Sequence, residues 1–314
     1  MKNNPCIHIG HLKIIDHLIL GICDLSLKKG TANLSAINFE TCAMNSWDQV
    51  IDSLVCGEIN GAFIPAPIAM NLFAQGLDIR ILMFAHKSGS LIAKSTGSDI
   101  KTIADFKGKT ILVSSELSIQ TMLLHKLFSS AGLTFGDHND LNTDVTCEAV
   151  PPMVMIEMLT HDLDKDIGGY AVEEPFASYG IQQGVAKKIC TSTSLWKNHP
   201  CCVFVLNQKF ITTYPEAVQK VLSLFLQTGK QIQKTKSDEI SAMAQKFCDQ
   251  KISLIQQIFT QTDLSFNPDS LIPDINALEM IQNYMADTMK VLKNKVDLSV
   301  LVDRSIISNL ISGS

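Results

Sequence analysis

Short apolar runs alternate with stretches of helical periodicity through the first two-thirds of the chain. Runs at Cys6–Gly10, Leu34–Glu40, Gly61–Ile64, Ile79–Ala85, Ser90–Lys94, Thr110–Val113, Val145–Val150, Ile167–Val172, Val185–Cys190 and Cys202–Leu206 predict strands. Each is bounded by Gly, Pro, Asp, Asn or Ser, residues that favour turns over continued pairing. Several are apolar throughout, which suits parallel strands covered on both faces. Between them, Trp47, Val50, Ile51, Leu54 and Val55 recur at three- and four-residue spacing, with Asn45-Ser46 as the cap. Similar faces follow Ser118 (Ile119, Met122, Leu123, Leu127) and Pro152 (Met153, Ile156, Leu159). Strand alternating with helix predicts an open, mostly parallel α/β sheet.

Past residue 208 the pattern turns helical. Pro215–Ile232 reads as a long amphipathic helix with Pro in its first turn. Ile240–Cys248, Ser253–Thr260, Asp274–Met289 and Ser305–Ile311 continue in the same way. The 314 residues exceed one ordinary core and suit two. No Gly/Ser linker separates them, so two crossings near His86–Ser90 and His199–Val203 are expected to join a discontinuous unit, 1–87 plus 201–314, to an inserted unit, 88–200.

Composition narrows the function classes. The net charge of −5 and the lack of a Lys/Arg cluster with interleaved aromatics argue against nucleic acid as a partner. No segment has the length of a membrane-spanning helix, so no membrane insertion is expected. The residues ahead of the first strand carry no apolar export-signal region. The expected location is cytoplasmic if the chain is complete as given, and periplasmic or cell-surface if a signal has been removed. Nine cysteines, an odd number without Cys-x-x-Cys spacing, read as buried free thiols in a reducing compartment, not as a disulfide framework or zinc site. Cofactor fingerprints such as Gly-x-Gly-x-x-Gly, the Walker loop and His-Glu-x-x-His are missing, so no cofactor is expected.

Candidate chemistry lies in five loops at predicted strand ends, where open α/β sheets bind ligands. In the first, Asp16 either caps a helix or accepts hydrogen bonds from a ligand, and His17 is a ligand donor or a packed core residue. In the second, Pro65 and Ala66 form either a rigid turn or a bare backbone surface that a ligand approaches closely. The third offers Ser90 after Gly89 at the presumed crossing. The fourth offers Ser115 and Ser118, whose plain alternative is a helix cap by Ser118. The fifth carries Glu173 and Glu174. Burying both unpaired is costly, so one is expected to be solvated or capping and the other to meet a ligand N–H, an ammonium or a metal ion. Trp47 stacks either on a ligand or in the core. His8 and His11 have metal-compatible spacing but no carboxylate nearby in sequence. Cys201 and Cys202 are adjacent; on a strand their side chains point to opposite faces and would not share a metal. No catalytic residue and no metal ligand is therefore assigned.

In order, these segments resemble the solute-binding proteins of nitrate/sulfonate/taurine/bicarbonate-type ABC transporters, which include binders of thiamine-pyrimidine precursors. The resemblance rests on Ile9-Gly10-His11, on Trp47 through Leu54, and on the run Gly57 to Pro67 (Gly-Glu-Ile-Asn-Gly-Ala-Phe-Ile-Pro-Ala-Pro). It continues through Gly76-Leu77-Asp78-Ile79-Arg80, Ile103 to Ile111, Glu173-Glu174-Pro175-Phe176 and Tyr214-Pro215-Glu216-Ala217-Val218, spanning roughly residues 6–235. It implies a two-lobe type II periplasmic-binding-protein-like α/β fold with a helical C-terminal extension, a small polar solute held in an interlobe cleft, and uptake through an ABC permease or sensing. The ligand-binding positions it implies are Asp16, His17, Trp47, Pro65, Ala66, Ser90, Ser115, Ser118, Glu173 and Glu174. Two other readings stay open. One is an enzyme of thiamine-pyrimidine or related precursor metabolism, using His17, a glutamate and Cys201. The other is a sensing module that docks a protein through an exposed apolar face on residues 275–292.

Overall fold

The computed structural model describes residues 4–137, 142–234, 238–261 and 265–312. Its strands sort into two mixed sheets. The first has the order β2 (Asn38–Met44), β1 (Cys6–Leu12), β3 (Gly61–Pro65), β11 (Cys202–Asn207), β4 (Ile79–Phe84). The second has the order β10 (Ala186–Thr191), β5 (Ser90–Ser95), β9 (Ile167–Glu173), β6 (Lys109–Val113), β8 (Val145–Ala149), β7 (Phe135–Gly136). The chain passes from the first sheet to the second after Phe84 and returns after Thr191.

Those passages explain why the sheets are mixed, where the sequence pattern implied nearly uniform parallel pairing. β4 ends at the face where the two sheets meet, so β5 must start there and run away from it, antiparallel to β9 and β10. On the way back, β11 starts at the same face and runs antiparallel to β3 and β4. Each sheet thus contains one reversed strand. The reversed strands bring their first residues, Ser90 and Cys202, to the face where every other strand of those pairs brings its last.

Helices cover both sheets. Leu18–Lys28 follows β1, Trp47–Val55 follows β2 and Ala66–Ala74 follows β3. Ile119–Ser130 follows β6, Pro152–His161 follows β8 and Phe176–Gln182 follows β9. The main core runs through the first sheet, its helices and the adjoining part of the second, with Ile7, Ile9, Phe63, Phe204 and Phe225 wholly buried. A smaller core lies under the second sheet around Phe106, Ile111 and Phe128.

The C-terminal helices Pro215–Lys234 and Asp238–Cys248 pack on Leu18–Lys28. The segment near Val302 lies along the edge of β4, with Asp303 N donating to Ile81 O at 3.0 Å. An open sheet edge is thereby covered. Ile275–Asn283 turns Leu278 and Ile281 inward, and Met285 and Leu292 beyond it are buried; only Met280 among the large apolar residues of 275–292 is exposed. The apolar docking face considered for that stretch is therefore absent from it. The second strand sits later than its apolar run suggested, at Asn38–Met44 instead of Leu34–Glu40, and the short strand Phe135–Gly136 lacked any alternating signal. No described helix is long and apolar enough to cross a membrane.

Candidate functional site

The ends of these strands and helices close on one another around a buried polar cluster. Asp16, His17, His86, Glu173, Cys201, Cys202 and His199 all have essentially zero solvent exposure. Ile15 N donates to the Glu174 carbonyl across the two layers at 2.8 Å. Gln120, from the second layer, donates through Nε2 to Ser90 Oγ at 2.7 Å, and its Nε2 lies 3.5 Å from Cys201 Sγ on the return passage.

Within the cluster, His17 is held at Nδ1 by the Leu12 backbone, 3.0 Å from its carbonyl oxygen. The ring packs edge-on to Trp47 and Phe63, and Nε2 has no partner. Burial holds its pKa well below the usual imidazole range, so the ring is neutral. Trp47 opens its helix behind the Ser46 cap, is buried, and leaves Nε1–H unpaired. Asp16 Oδ2 lies 3.2 Å from His86 Nε2 and 4.0 Å from Cys202 Sγ, while Oδ1 has no partner. The Asp16–His86 contact lacks hydrogen-bond geometry, so both His86 nitrogens also stand unpaired. Burial, reinforced by Cys201 and Glu173, pushes the Asp16 pKa well above the carboxylate range.

The adjacent glutamates divide their work. Glu174 is drawn onto the start of Phe176–Gln182, accepting from Ser178 N at 2.9 Å and Ser178 Oγ at 2.7 Å. Glu173 points into the cluster, accepts from Ser114 Oγ at 3.0 Å through Oε1, and leaves Oε2 unpaired. Both are buried, so of the two roles expected for one of them, solvation or capping, Glu174 takes capping. Burial pushes Glu173 up to about 8 and Glu174 up to about 7.

Other sequence candidates sit nearby with their groups already engaged. Ala66 N donates to the Cys201 carbonyl at 3.0 Å, and Pro65 pairs with Cys202 between β3 and β11. Ser90 is buried against Gln120. Ser115 Oγ accepts from Leu117 N, and Ser118 accepts from Thr121 N as the cap of Ile119–Ser130. From that fourth loop the cluster receives Ser114 and Gln120, the residues on either side of the two serines.

His86, His199, Ser114 and Gln120 are the members that sequence reasoning missed. Both histidines fall in or beside the crossing segments identified from sequence, and that placement was the available signal. Two further premises are corrected. Cys201 precedes the first residue of β11, so the alternation of a strand does not apply to the pair, and both thiols lie within 4.8 Å of each other and of an Asp16 carboxylate oxygen. His8 does find a carboxylate, since the β1–β2 register sets Glu40 opposite it at 3.4 Å, with Cys6 Sγ at 2.9 Å.

A separate pocket of about 290 Å³ opens beside the cluster, lined by Leu12, Lys13, Asn45, Met153, Phe176 and Cys248 among others. It contains none of the buried polar groups and marks the seam where the two layers and the C-terminal helices meet. Among the described residues the buried ionisable side chains are carboxylates, histidines, cysteines and Tyr170, with no buried Lys or Arg.

A family model described as the NMT1-like family matches residues 2–246. The chain is 25% identical over 187 residues to the nitrate import ATP-binding protein NrtC of Synechocystis, covering 54% of this chain and 27% of that protein. It thus spans about a quarter of the length of that curated relative. A ligand-binding component of an ABC-type import system from Staphylococcus aureus, solved with zinc bound, superposes with a TM-score of 0.84 at 19% identity, covering 98% of this chain and 99% of that one. The periplasmic nitrate-binding protein NrtA from Synechocystis superposes with a TM-score of 0.83 at 15% identity, covering 98% and 88%. The fold is that of the periplasmic binding proteins.

Proposed function

This chain belongs to the NMT1-like family, and from that premise we propose that it encloses a small polar solute between two lobes, 1–87 plus 201–314 and 88–200, for delivery to an ABC permease or for sensing. One observation carries the reading. Asp16, His17, Trp47, His86, Gln120, Glu173 and His199 each leave a fully buried nitrogen or oxygen atom without a partner, and they come from both layers and both passages between them. An unsatisfied buried polar atom costs about 1–3 kcal/mol, so such a concentration supports a site where a bound molecule supplies the missing bonds.

The charge pattern narrows the solute. A nitrate-like oxyanion is best held by cationic donors, yet the cluster holds two carboxyls and two thiols, its N–H donors are those of Gln120, Trp47 and the histidines, and no Lys or Arg is buried among the described residues. The proposed solute is therefore a cation or a molecule presenting N–H groups. Delivery to a permease rests on the relatives in ABC import systems.

Ligand-dependent thermal stabilisation tests this. A ligand that binds only the native state raises stability by RT ln(1 + [L]/Kd), about 2.7 kcal/mol at a hundredfold excess over Kd. Cations and N–H-bearing metabolites are expected to raise Tm in wild type and to lose that effect in Glu173→Gln. A folded protein stabilised by nitrate or sulfonates alone would refute the solute class. No stabilisation by any compound would refute solute binding.

A further inference from the structure

The solute-binding reading leaves two thiols unexplained, since a thiol adds little to the recognition of an amine. Resting on that reading, we propose that the core of the cluster is a binding site for a thiophilic divalent cation of the zinc class, held by Asp16, Cys201 and Cys202 with His86 beside them.

The donor geometry is the first support. One carboxylate oxygen of Asp16 and the two Sγ atoms all lie within 4.8 Å of one another, and all three residues are wholly buried. Zinc binds sulfur at about 2.3 Å and oxygen or nitrogen at about 2.0–2.2 Å, which sets tetrahedral ligands about 3.3–3.8 Å apart. Small side-chain rotations meet that requirement. His86 Nε2 lies 3.2 Å from Asp16 Oδ2 and outside the group of three donors within 4.8 Å of one another, so a movement of its ring would bring in the fourth donor.

The second support is independent of the cluster's composition. Asp16 Oδ1 and both nitrogens of His86 are buried with no hydrogen-bond partner. A cation at this point gives the Asp16 carboxylate and one ring nitrogen of His86 a partner, a role that no buried lysine or arginine fills among the described residues. Softness then selects among cations. Two thiolates favour zinc-class ions, whereas magnesium and calcium require oxygen shells that three of these four donors do not provide.

The backbone explains how neighbouring cysteines reach one ion. The Cys201 carbonyl accepts from Ala66 N, and the Cys202 carbonyl accepts from Ala85 N. The start of β11 is thereby pinned between the ends of β3 and β4, beside Asp16 at the end of the β1 loop. Binding requires thiol deprotonation and releases protons.

The test uses the full chain, stripped with a chelator under reducing conditions, then titrated with zinc and, separately, with cobalt(II). The expected result is one ion per chain, a rise in Tm with zinc, and thiolate-to-cobalt charge-transfer absorption of two-thiolate intensity. Cys201→Ser and Cys202→Ser are each expected to weaken zinc binding at least a hundredfold, while Cys147→Ser and Cys6→Ser leave it unchanged. Absence of a bound ion, a cobalt spectrum without thiolate bands, or loss of binding only in Cys6→Ser overturns the site. The last outcome would place the metal at the surface group Cys6, His8 and Glu40. Should the serine variants fail to fold, the wild-type cobalt spectrum decides alone. Stabilisation by an N–H-bearing metabolite without zinc binding removes this inference and leaves the solute reading intact; stabilisation by neither removes both.

Discussion

Neutralising Glu174 is expected to flatten the pH dependence of stability and to strengthen the ligand-free protein in mild alkali. The Glu174 carboxyl is buried and bonded only to Ser178, and burial lifts its pKa from 4.5 to about 7. Each pKa unit corresponds to about 1.4 kcal/mol. Between pH 4.5 and 7 the folded protein holds a proton here that the unfolded chain has lost. Stability from this group is therefore full below pH 4.5 and declines by about 1.4 kcal/mol per pH unit, levelling off above pH 7 after a loss of about 3 kcal/mol. Glu173 adds a decline of the same sign that continues to about pH 8. In Glu174→Gln the amide oxygen still accepts from Ser178 N, so the helix start is kept and the ionisable proton is gone. Urea unfolding of wild type and variant at pH 5, 6, 7 and 8 measures the difference. The variant is expected to gain on wild type progressively with pH, by up to about 3 kcal/mol at pH 8. A difference that stays constant across the series, or grows toward acid, would refute the burial of a neutral Glu174.

Two further outcomes test the local assignments. Ser118→Ala removes the cap of Ile119–Ser130 and is expected to cost about 1 kcal/mol in urea unfolding while leaving the Tm shift by any ligand unchanged; loss of the ligand shift would return Ser118 to the binding surface. Gly169→Ala is expected to destabilise by more than about 2 kcal/mol in the same measurement, because a Cβ there would lie 2.1 Å from the Ala93 carbonyl oxygen where β9 pairs with β5; a Tm within a degree or two of wild type would contradict that close pairing.

Sequence alone determined the elements. Apolar runs bounded by turn residues marked ten of the eleven described strands, and three- to four-residue spacing marked the main helices, because both signals are local and arise from each element burying one face. Tertiary structure decided which side chains meet. Ser114 and Gln120 face the cluster while Ser115 and Ser118 serve their own loop and helix, a choice set by a rotation of the chain that composition does not record. Glu173 and Glu174 are chemically alike, and only the position of Ser178 separates the cap from the cluster member. Cys201 and Cys202 converge because β11 begins between them, so strand alternation never acts on the pair. Period and turn chemistry are properties of neighbouring residues, whereas a shared cluster depends on contacts between residues as far apart as Asp16 and Cys202, which only the folded chain supplies.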